Sequence, residues 1–493
     1  MERVLEEAKV AEQGFDPDPV HDLRVALRRC RSMADGFRAI DPDPAWKTMK
    51  RAGGRVFRSL GDLRDVQVMR EWAQNLAQPE DSLQPLLDQS LAAREETLKR
   101  DAQESLSRLD QSEWRSWSEH LSSRAARVRI ESPVFQYVAL ERWHEAYQLH
   151  RLALRNRSQV AWHSLRVGIK RFRYTVENFL PERHERWGKD LKHLQDALGE
   201  VHDLDVLWDR IRAHGFAASR QVDRETVARW RMRIAEERTR RIDAYREKMV
   251  GPQSLWQVWR NELPQGPGQH RALLNRAQTL VAFSGASVAH ARHVVRLALQ
   301  VHDGLQKAGV FGEDASSARD ALELAAMLQD VGRFRSGRGH HKHSYRMLGR
   351  MAAPLDWSGD NWEMVAGLTR YHRGALPETD HDEYGNVPAN QRKRFLQLAA
   401  VLRLANALDA GHSGTVRSIK VVRTPETIQL LATGFVNDTD DAPGIAIAKY
   451  LLETACALPV VLRGVEAESN LVVMPPSKPP KRGAIGKHQS ALS

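Results

Sequence analysis

From the amino terminus to about residue 250, apolar residues fall three and four positions apart, and Leu, Ala, Arg and Glu fill most of the places between them. That is the period of a helix, so this half is expected to be built of helical bundles. Turn-forming residues interrupt it at DPDP (16–19 and 41–44), at GG (53–54) and at ESPVFQ (131–136), the last dividing two sub-bundles, about 1–130 and 131–250. Residues 251–275 mix Pro, Gly and Gln between helical patterns and read as a linker. Helical spacing returns from 276 to about 412. The β-branched runs at 415–434 and 469–475 then predict a small strand pair that ends a second domain at about 475. The stretch 476–493 is too polar to bury a core and is expected to be disordered. The fold class is therefore mainly α: duplicated helical bundles, then a helical domain with a small terminal β element.

One polar stripe occurs twice. In HDLRVALRRCRS (21–32), His21, Arg24, Arg28 and Arg31 share a helix face, and Leu23, Leu27, Cys30, Ala34 and Phe37 share the opposite one. In HSLRVGIKRFRY (163–174), His163, Arg166, Lys170 and Arg173 repeat the stripe, opposite Leu165, Ile169, Phe172, Val176 and Phe179. Every residue of the second stripe lies 142 positions after its counterpart, which indicates an internal duplication. A second shared element follows each helix, SLGDLRDVQVM (59–69) and ALGEVHDLDVL (197–207), with Asp65 and Asp203 in matching places.

A helix with one charged face is ordinarily just a solvated helix. Here the stripe is nearly free of acids, favours guanidinium groups and recurs, and like charges at helical spacing cost a few tenths of a kcal/mol per pair. A bound polyanion would offset that cost, since Arg presents a planar fork of donors to phosphate oxygens and Lys a point charge. The two carboxylates are expected to pair with helix arginines and fix their rotamers rather than to act in catalysis.

Net charge points the same way. The 493-residue chain carries 74 Lys and Arg against 63 Asp and Glu, a formal charge of +11, which favours nucleic acid, an anionic membrane or a phosphate polymer as partner. Its two cysteines give no basis for a disulfide framework. No apolar run is long enough to span a membrane, and MERVLEEAKV lacks the layout of a signal peptide, so a cytoplasmic protein without a membrane partner is expected.

The paired motifs resemble the two halves of a CHAD domain, the conserved histidine α-helical domain, over about residues 1–250. The resemblance implies two pseudo-symmetric bundles around a basic cleft that binds inorganic polyphosphate, with His21, Arg24, Arg28, Arg31, His163, Arg166, Lys170 and Arg173 facing the ligand. Arg29, Arg171, Arg64 and His202 are secondary candidates.

Between 285 and 412 a different chemistry appears in SVAHARHVVRLAL, LELAAMLQDVGR, GHHKHSYRML, RYHRGALP and LRLANALDAGH. Helices carrying spaced His and Asp can converge on a divalent metal that activates water for phosphoester or phosphoanhydride hydrolysis. His290, Asp330, His341 or His343, His372 and Asp409 are the candidate ligands, although any one of them alone is more simply a hydrogen-bonded structural residue. The series resembles the HD-type C-terminal domain of the exopolyphosphatase and guanosine-pentaphosphate phosphatase family, Ppx/GppA, which implies a role in handling polyphosphate. Lys342, Arg346, Arg373, Lys393 and Arg403 are further candidates for holding phosphate. Where that pattern has a His-Asp doublet this chain has Gln329-Asp330, and the Gly-rich phosphate loops of that family's amino-terminal domains are missing.

The leading expectation is therefore a polyphosphate-binding scaffold or granule-associated regulator that needs no cofactor. The competing one is a metal-dependent phosphohydrolase using Mn²⁺ or Mg²⁺, with the first domain feeding substrate to the second. Nucleic acid ranks third as a partner, because it accounts for the charge but not for the repeat.

Overall fold

The computed structural model describes residues 1–79, 81–213, 222–312, 316–436 and 442–466. The strand expected at 469–475 and the tail at 476–493 lie outside the described residues. The fold is mainly α, with eighteen α-helices and one three-stranded sheet among those residues.

The first copy of the repeat comprises α1 (Glu2–Ala11), α2 (Pro17–Phe37), α3 (Pro44–Leu76), α4 (Leu83–Ser107) and α5 (Gln111–Ala125). The second comprises α6 (Pro133–Asn156), α7 (Gln159–Phe179), α8 (Pro181–Ala213) and α9 (Arg224–Met249). The DPDP segments start helices: Asp16 and Asp43 are the residues before α2 and α3, each followed by proline in the first turn, and the Asp43 carboxylate accepts from the Ala45 N–H at 2.9 Å. Between the copies the chain turns at Glu131, with φ 59°, before Pro133 opens α6.

The apolar stripes of α2 and α7 are buried as the spacing requires. Leu23, Leu27, Ala34, Leu165, Ile169, Phe172 and Val176 are fully enclosed, each large aliphatic or aromatic one contributing about 1.5–3 kcal/mol of transfer free energy. Where α2 meets α7, Phe37 stacks on Trp46 at 4.7 Å, Phe135 stacks on Phe179 at 4.2 Å, and Phe37 meets Phe179 edge-on at 5.7 Å. Asn178 also donates to the Ser32 hydroxyl at 3.0 Å, tying the two stripes together. This join holds both cationic faces in a fixed relation.

Two expectations are corrected. The GG at 53–54 does not break anything: α3 runs straight through it, and a Cβ on Gly54 would meet Arg31 Nη1 at 2.7 Å. The glycine is there for close approach. Nor is 251–275 a free linker, since it holds α10 (Leu255–Glu262) and the start of α11 (Gly266–Phe283). Trp256 and Trp259, three apart on one helix face, are buried in the first core, where their large rings fix the segment. Its Pro and Gly residues mark the ends of short helices.

The second domain continues with α12 (Val288–Lys307), α13 (Ser316–Leu328), a 3₁₀ turn at Val331–Phe334, α14 (His340–Leu348), α15 (Gly359–Tyr371), α16 (Asp382–Gly385) and α17 (Ala389–Ala407). Strands β1 (Ser418–Arg423) and β2 (Ile428–Thr433) form an antiparallel hairpin lying wholly within 415–434, a run the sequence reading took as one part of a strand pair. The chain then passes through α18 (Ala442–Cys456) to β3 (Val460–Val465), which pairs with β2 in parallel and which the sequence reading missed. The two domains abut: Arg276 of α11 pairs with Glu141 of α6 at 2.6 Å, and the Leu355 N–H donates to the Tyr137 hydroxyl at 3.1 Å.

A Cβ on Gly36 would lie 2.3 Å from the buried Phe179 ring at the join of the repeats. Gly36→Ala gains about 0.5–1 kcal/mol in helix propensity, but displacing an enclosed ring costs about 1–3 kcal/mol. The variant is therefore expected to melt at a lower temperature than the wild type by scanning calorimetry; an unchanged or raised midpoint would contradict this packing.

Candidate functional site

The two cationic stripes converge. Burial, and after it the charge of Arg166 with smaller contributions from Arg24 and Arg28, pulls the Lys170 ammonium down to about 7, against the opposing pull of Asp203. The Arg24 guanidinium is likewise lowered, first by burial, with Arg28 and Arg64 adding to the effect and Asp65 opposing it. Cations from α2, α3 and α7 thus act on one another across the join, in surroundings dry enough for the repulsion to matter.

Asp65 and Asp203 sit among these cations, yet neither closes a hydrogen-bonded ion pair with a stripe residue, contrary to the expected pairing. Burial raises both carboxyls, Asp203 to about 6, with Arg166 the largest opposing influence on Asp203 and Arg24 on Asp65. They reduce the local charge without consuming the guanidinium donors. Arg24 Nη1 and Arg166 Nε, one from each copy, are buried N–H groups with no acceptor, and Arg173 Nε is a third. Buried donors are rarely left unpaired, so each calls for an acceptor.

Two aromatic rings that sequence reasoning missed hold these guanidiniums in place. Arg24 and Arg31 lie over the Phe57 ring at 5.1 and 4.9 Å, and Arg28 lies over Tyr174 at 4.9 Å with Arg173 at 5.6 Å. Tyr174 closes the second motif, but Phe57 lies on α3 at no distinctive spacing. Gly61 on the same helix lets Arg24 pass close by, since a Cβ there would meet Nη1 at 2.9 Å.

The other candidates, among them the ligand-facing His21, His163 and Arg173, divide. His163 and His202 face each other with Nδ1 atoms 3.2 Å apart, and both imidazoles are lowered by burial and then by the Arg166 charge, His202 to about 3. His21 is exposed. Arg29 pairs with Glu177 at 3.6 Å, Arg171 with Glu145 at 2.6 Å, Arg64 with Glu71 at 3.2 Å and Arg173 with Glu177 at 3.7 Å. Among the described residues, Arg24, Arg28, Arg166 and Lys170 close no ion pair with a carboxylate and make up the core of the stripe, their charge offset only in part by Asp65 and Asp203.

In the second domain, the expected ligands split into two groups that share Asp330. In the first, His290 Nδ1 donates to Asp409 at 2.7 Å. The Gln329 amide then donates to His290 Nε2 at 3.3 Å and to Asn406 Oδ1 at 3.0 Å. Asp409 therefore backs His290, and also accepts from the Gly414 N–H at 2.8 Å, instead of facing a common centre. His412, which went unnoticed as a candidate, stacks on His290 with ring centroids 3.9 Å apart, from a backbone with φ 56°.

In the second group, Asp330, His340 and His372 bring one ligand atom each within mutual reach. The histidine in this group is His340, not His341 or His343. Three of the four residues 340–343 are histidine, and only the first turn of α14, entered from Gly339 at φ 70°, decides which one points inward. The His341 ring stands edge-on to His340 and His372, and burial lowers it to about 4; His343 is half-buried outside the cluster. A cavity of about 310 Å³ opens onto Asp330, His340, His372 and His412 and is rimmed by Arg333 and Arg373. Arg403 also lines it, but its guanidinium donates to the carbonyls of Tyr371, Gly374 and Ala375. Lys342, Arg346 and Lys393 are exposed side chains that do not line it.

Comparison with known proteins assigns both halves. The CHAD domain family matches residues 1–212, and Ppx/GppA phosphatase domain III matches residues 278–437. The chain thus joins a CHAD domain to a Ppx/GppA-type third domain. No curated protein matches it.

Because Lys170 is lowered chiefly by burial and by the Arg166 charge, its ammonium is expected to titrate near neutrality, with Arg166→Gln moving the midpoint upward. Lysine-selective ¹³C NMR against pH reads this directly. A Lys170 midpoint at the ordinary value of about 10.4 would contradict the convergence of cations described above.

Proposed function

We propose that this chain, a CHAD domain joined to a Ppx/GppA phosphatase domain III, binds inorganic polyphosphate between the two cationic helices of its duplicated half and acts as a cytoplasmic scaffold or granule-associated regulator. One observation carries the reading: buried guanidinium donors without acceptors, Arg24 Nη1 from one copy and Arg166 Nε from the other, within a group of cations that repel one another. A linear polymer with a charge on every phosphate supplies acceptors to both sides at once. Phe57 and Tyr174 keep the guanidinium planes oriented, so part of the ordering cost of binding is met before the ligand arrives. Nucleic acid offers the same phosphates, but the site's two aromatic rings, Phe57 and Tyr174, are covered by guanidinium groups and not free to stack on bases.

Binding should take up protons. A polyanion favours the charged ammonium and so raises a Lys170 that otherwise sits at about 7, and it favours the neutral form of Asp203 at about 6. Both shifts strengthen binding as pH falls from 8 to 6.

A second reading, a metal-dependent phosphohydrolase acting on polyphosphate or a guanosine polyphosphate, draws support from the cavity over Asp330, His340 and His372 with its arginine rim. Gln329 counts against it, because the amide hydrogen-bonds to His290 where a doublet histidine would offer a ligand.

The reading predicts that Arg24→Glu combined with Arg166→Glu abolishes retention of long-chain polyphosphate in a filter-binding assay while the helical circular dichroism is unchanged. Wild-type affinity should fall steeply with salt, as expected when several phosphates are neutralised; for duplex DNA the slope is about 0.9 per phosphate. Unchanged affinity in the folded double variant, or tighter retention of DNA than of polyphosphate at equal phosphate concentration, would overturn it.

A further inference from the structure

We infer that the basic cleft acylates itself: a small acyl phosphate seats its phosphate on the free guanidinium donors and passes its acyl group to the Lys170 amine, and the amide so formed weakens the grip on polyphosphate. This chemistry rests on the reading that the same donors take phosphate.

Lys170 is the one lysine in the two stripes, and it stands 142 positions after Arg28. An arginine in its place would present a fork of donors to a polyanion and would keep its proton at any ordinary pH. A lysine gives up that fork. What it offers instead is an amine that can lose its proton and attack a carbonyl.

Its surroundings favour that role. Lys170 is half-buried and, among the described residues, closes no ion pair, whereas Lys50, Lys99, Lys248 and Lys449 each face a carboxylate. Arg166, one turn before it on α7, and Arg24 and Arg28 of the other copy repel its charge, as do His163 and His202. Asp203 and Asp65 oppose them. Burial first, and then these cations, bring the ammonium to about 7. At pH 7.5 the neutral amine is therefore abundant, where an ordinary lysine has about one part in a thousand.

There is also a seat and room beside it. Arg24 Nη1 and Arg166 Nε are buried donors without acceptors. Side chains four apart on a helix have Cβ atoms about 5–6 Å from each other, so a phosphate held by Arg166 carries its acyl carbonyl to Lys170. In the first copy Arg24 fills the space over Gly61, its Nη1 2.9 Å from where a Cβ would stand. The matching residue of the second copy is Gly199, one turn before Asp203 on α8, and nothing beyond its own helix backbone lies within 4 Å of a Cβ there. The duplicated space is open beside the carboxylate that acts on Lys170.

The step balances without a further reactant. The neutral amine adds to the carbonyl carbon and forms a C–N bond, and the C–O bond to phosphate breaks with its electron pair left on the phosphate oxygen. The proton released from nitrogen goes to the departing phosphate, giving an amide and hydrogen phosphate. Amide formation removes one positive charge from the cleft.

The test follows acetylation of the full chain by acetyl phosphate at pH 7.5, lysine by lysine, by mass spectrometry. The N-hydroxysuccinimide ester of acetic acid, which carries no phosphate, is run in parallel. The initial rate at Lys170 should exceed the median of the other lysines by at least about 10-fold, given its larger neutral fraction. It should saturate with acetyl phosphate, and its excess should be greater than with the ester. Pyrophosphate should slow Lys170 alone, and retention of long-chain polyphosphate on filters should decline in step with the Lys170 amide. Unselective labelling, a rate that never saturates, equal selectivity with the ester, or undiminished retention by chain fully modified at Lys170 would overturn the inference. Retention by the unmodified chain is measured on the same preparation. Retention with unselective labelling removes self-acylation alone, whereas selective, saturable labelling in a chain that never retains polyphosphate removes the polyphosphate reading instead.

Discussion

Arg24 and Arg28 come from one copy of a duplicated helix, Arg166 and Lys170 from the other, and the aromatic join of α2 with α7 brings them near one another. Their mutual repulsion in half-buried surroundings is the constraint on which the first domain is built. Burial raises the cost of each charge and of each unpaired donor, while the apolar faces beneath must be enclosed for the bundle to exist. The chain accommodates both demands with parts placed around the cations: Phe57 and Tyr174 against the guanidinium planes, Gly54 and Gly61 where Arg31 and Arg24 cross α3, and Asp65 and Asp203 lowering the field without taking up the donors. The unmet donors that remain are what a phosphate chain would satisfy.

The second domain solves a related problem in the opposite sense. Its buried histidines and carboxylates are acceptors in excess, and the hydrogen-bond pattern divides them. Gln329 supplies a donor to His290 and Asn406, whereas His340 and His372 turn Nδ1 to the carbonyls of Gly337 and Thr369 and Nε2 toward Asp330 Oδ1. One domain collects cations and the other histidines and carboxylates. They are fixed side by side, with Tyr137 of the CHAD half built into the core of the second domain and Trp256 and Trp259 of the connecting segment built into the first.

Much of this was legible in the residues, because repeats and helical periodicity are direct consequences of backbone geometry. The partition of His21–Arg31 and His163–Arg173 into charged and apolar faces needed only the helical period, and the buried faces follow it residue by residue. What could not be read were choices made by tertiary packing. A Gly-Gly pair looks like a break until Arg31 is seen crossing it. Trp256 and Trp259 are hidden among prolines and glycines that suggest a linker. In HHKH the period does not say which histidine turns inward, because the helix begins at that point, and His340 was passed over in favour of His341 and His343. Asp409 lies behind His290 instead of beside it, a distinction that depends on side-chain rotamers alone.

The central claim is that this protein grips polyphosphate without consuming it, and a single gel tests it most directly. Purified chain is incubated with long-chain polyphosphate, with and without Mn²⁺ or Mg²⁺, and half of each sample is deproteinised before loading. The account predicts a retarded band in the intact samples and chains of undiminished length in the deproteinised ones, whether or not metal was added. Absence of retardation, or progressive shortening of the chains, would contradict it.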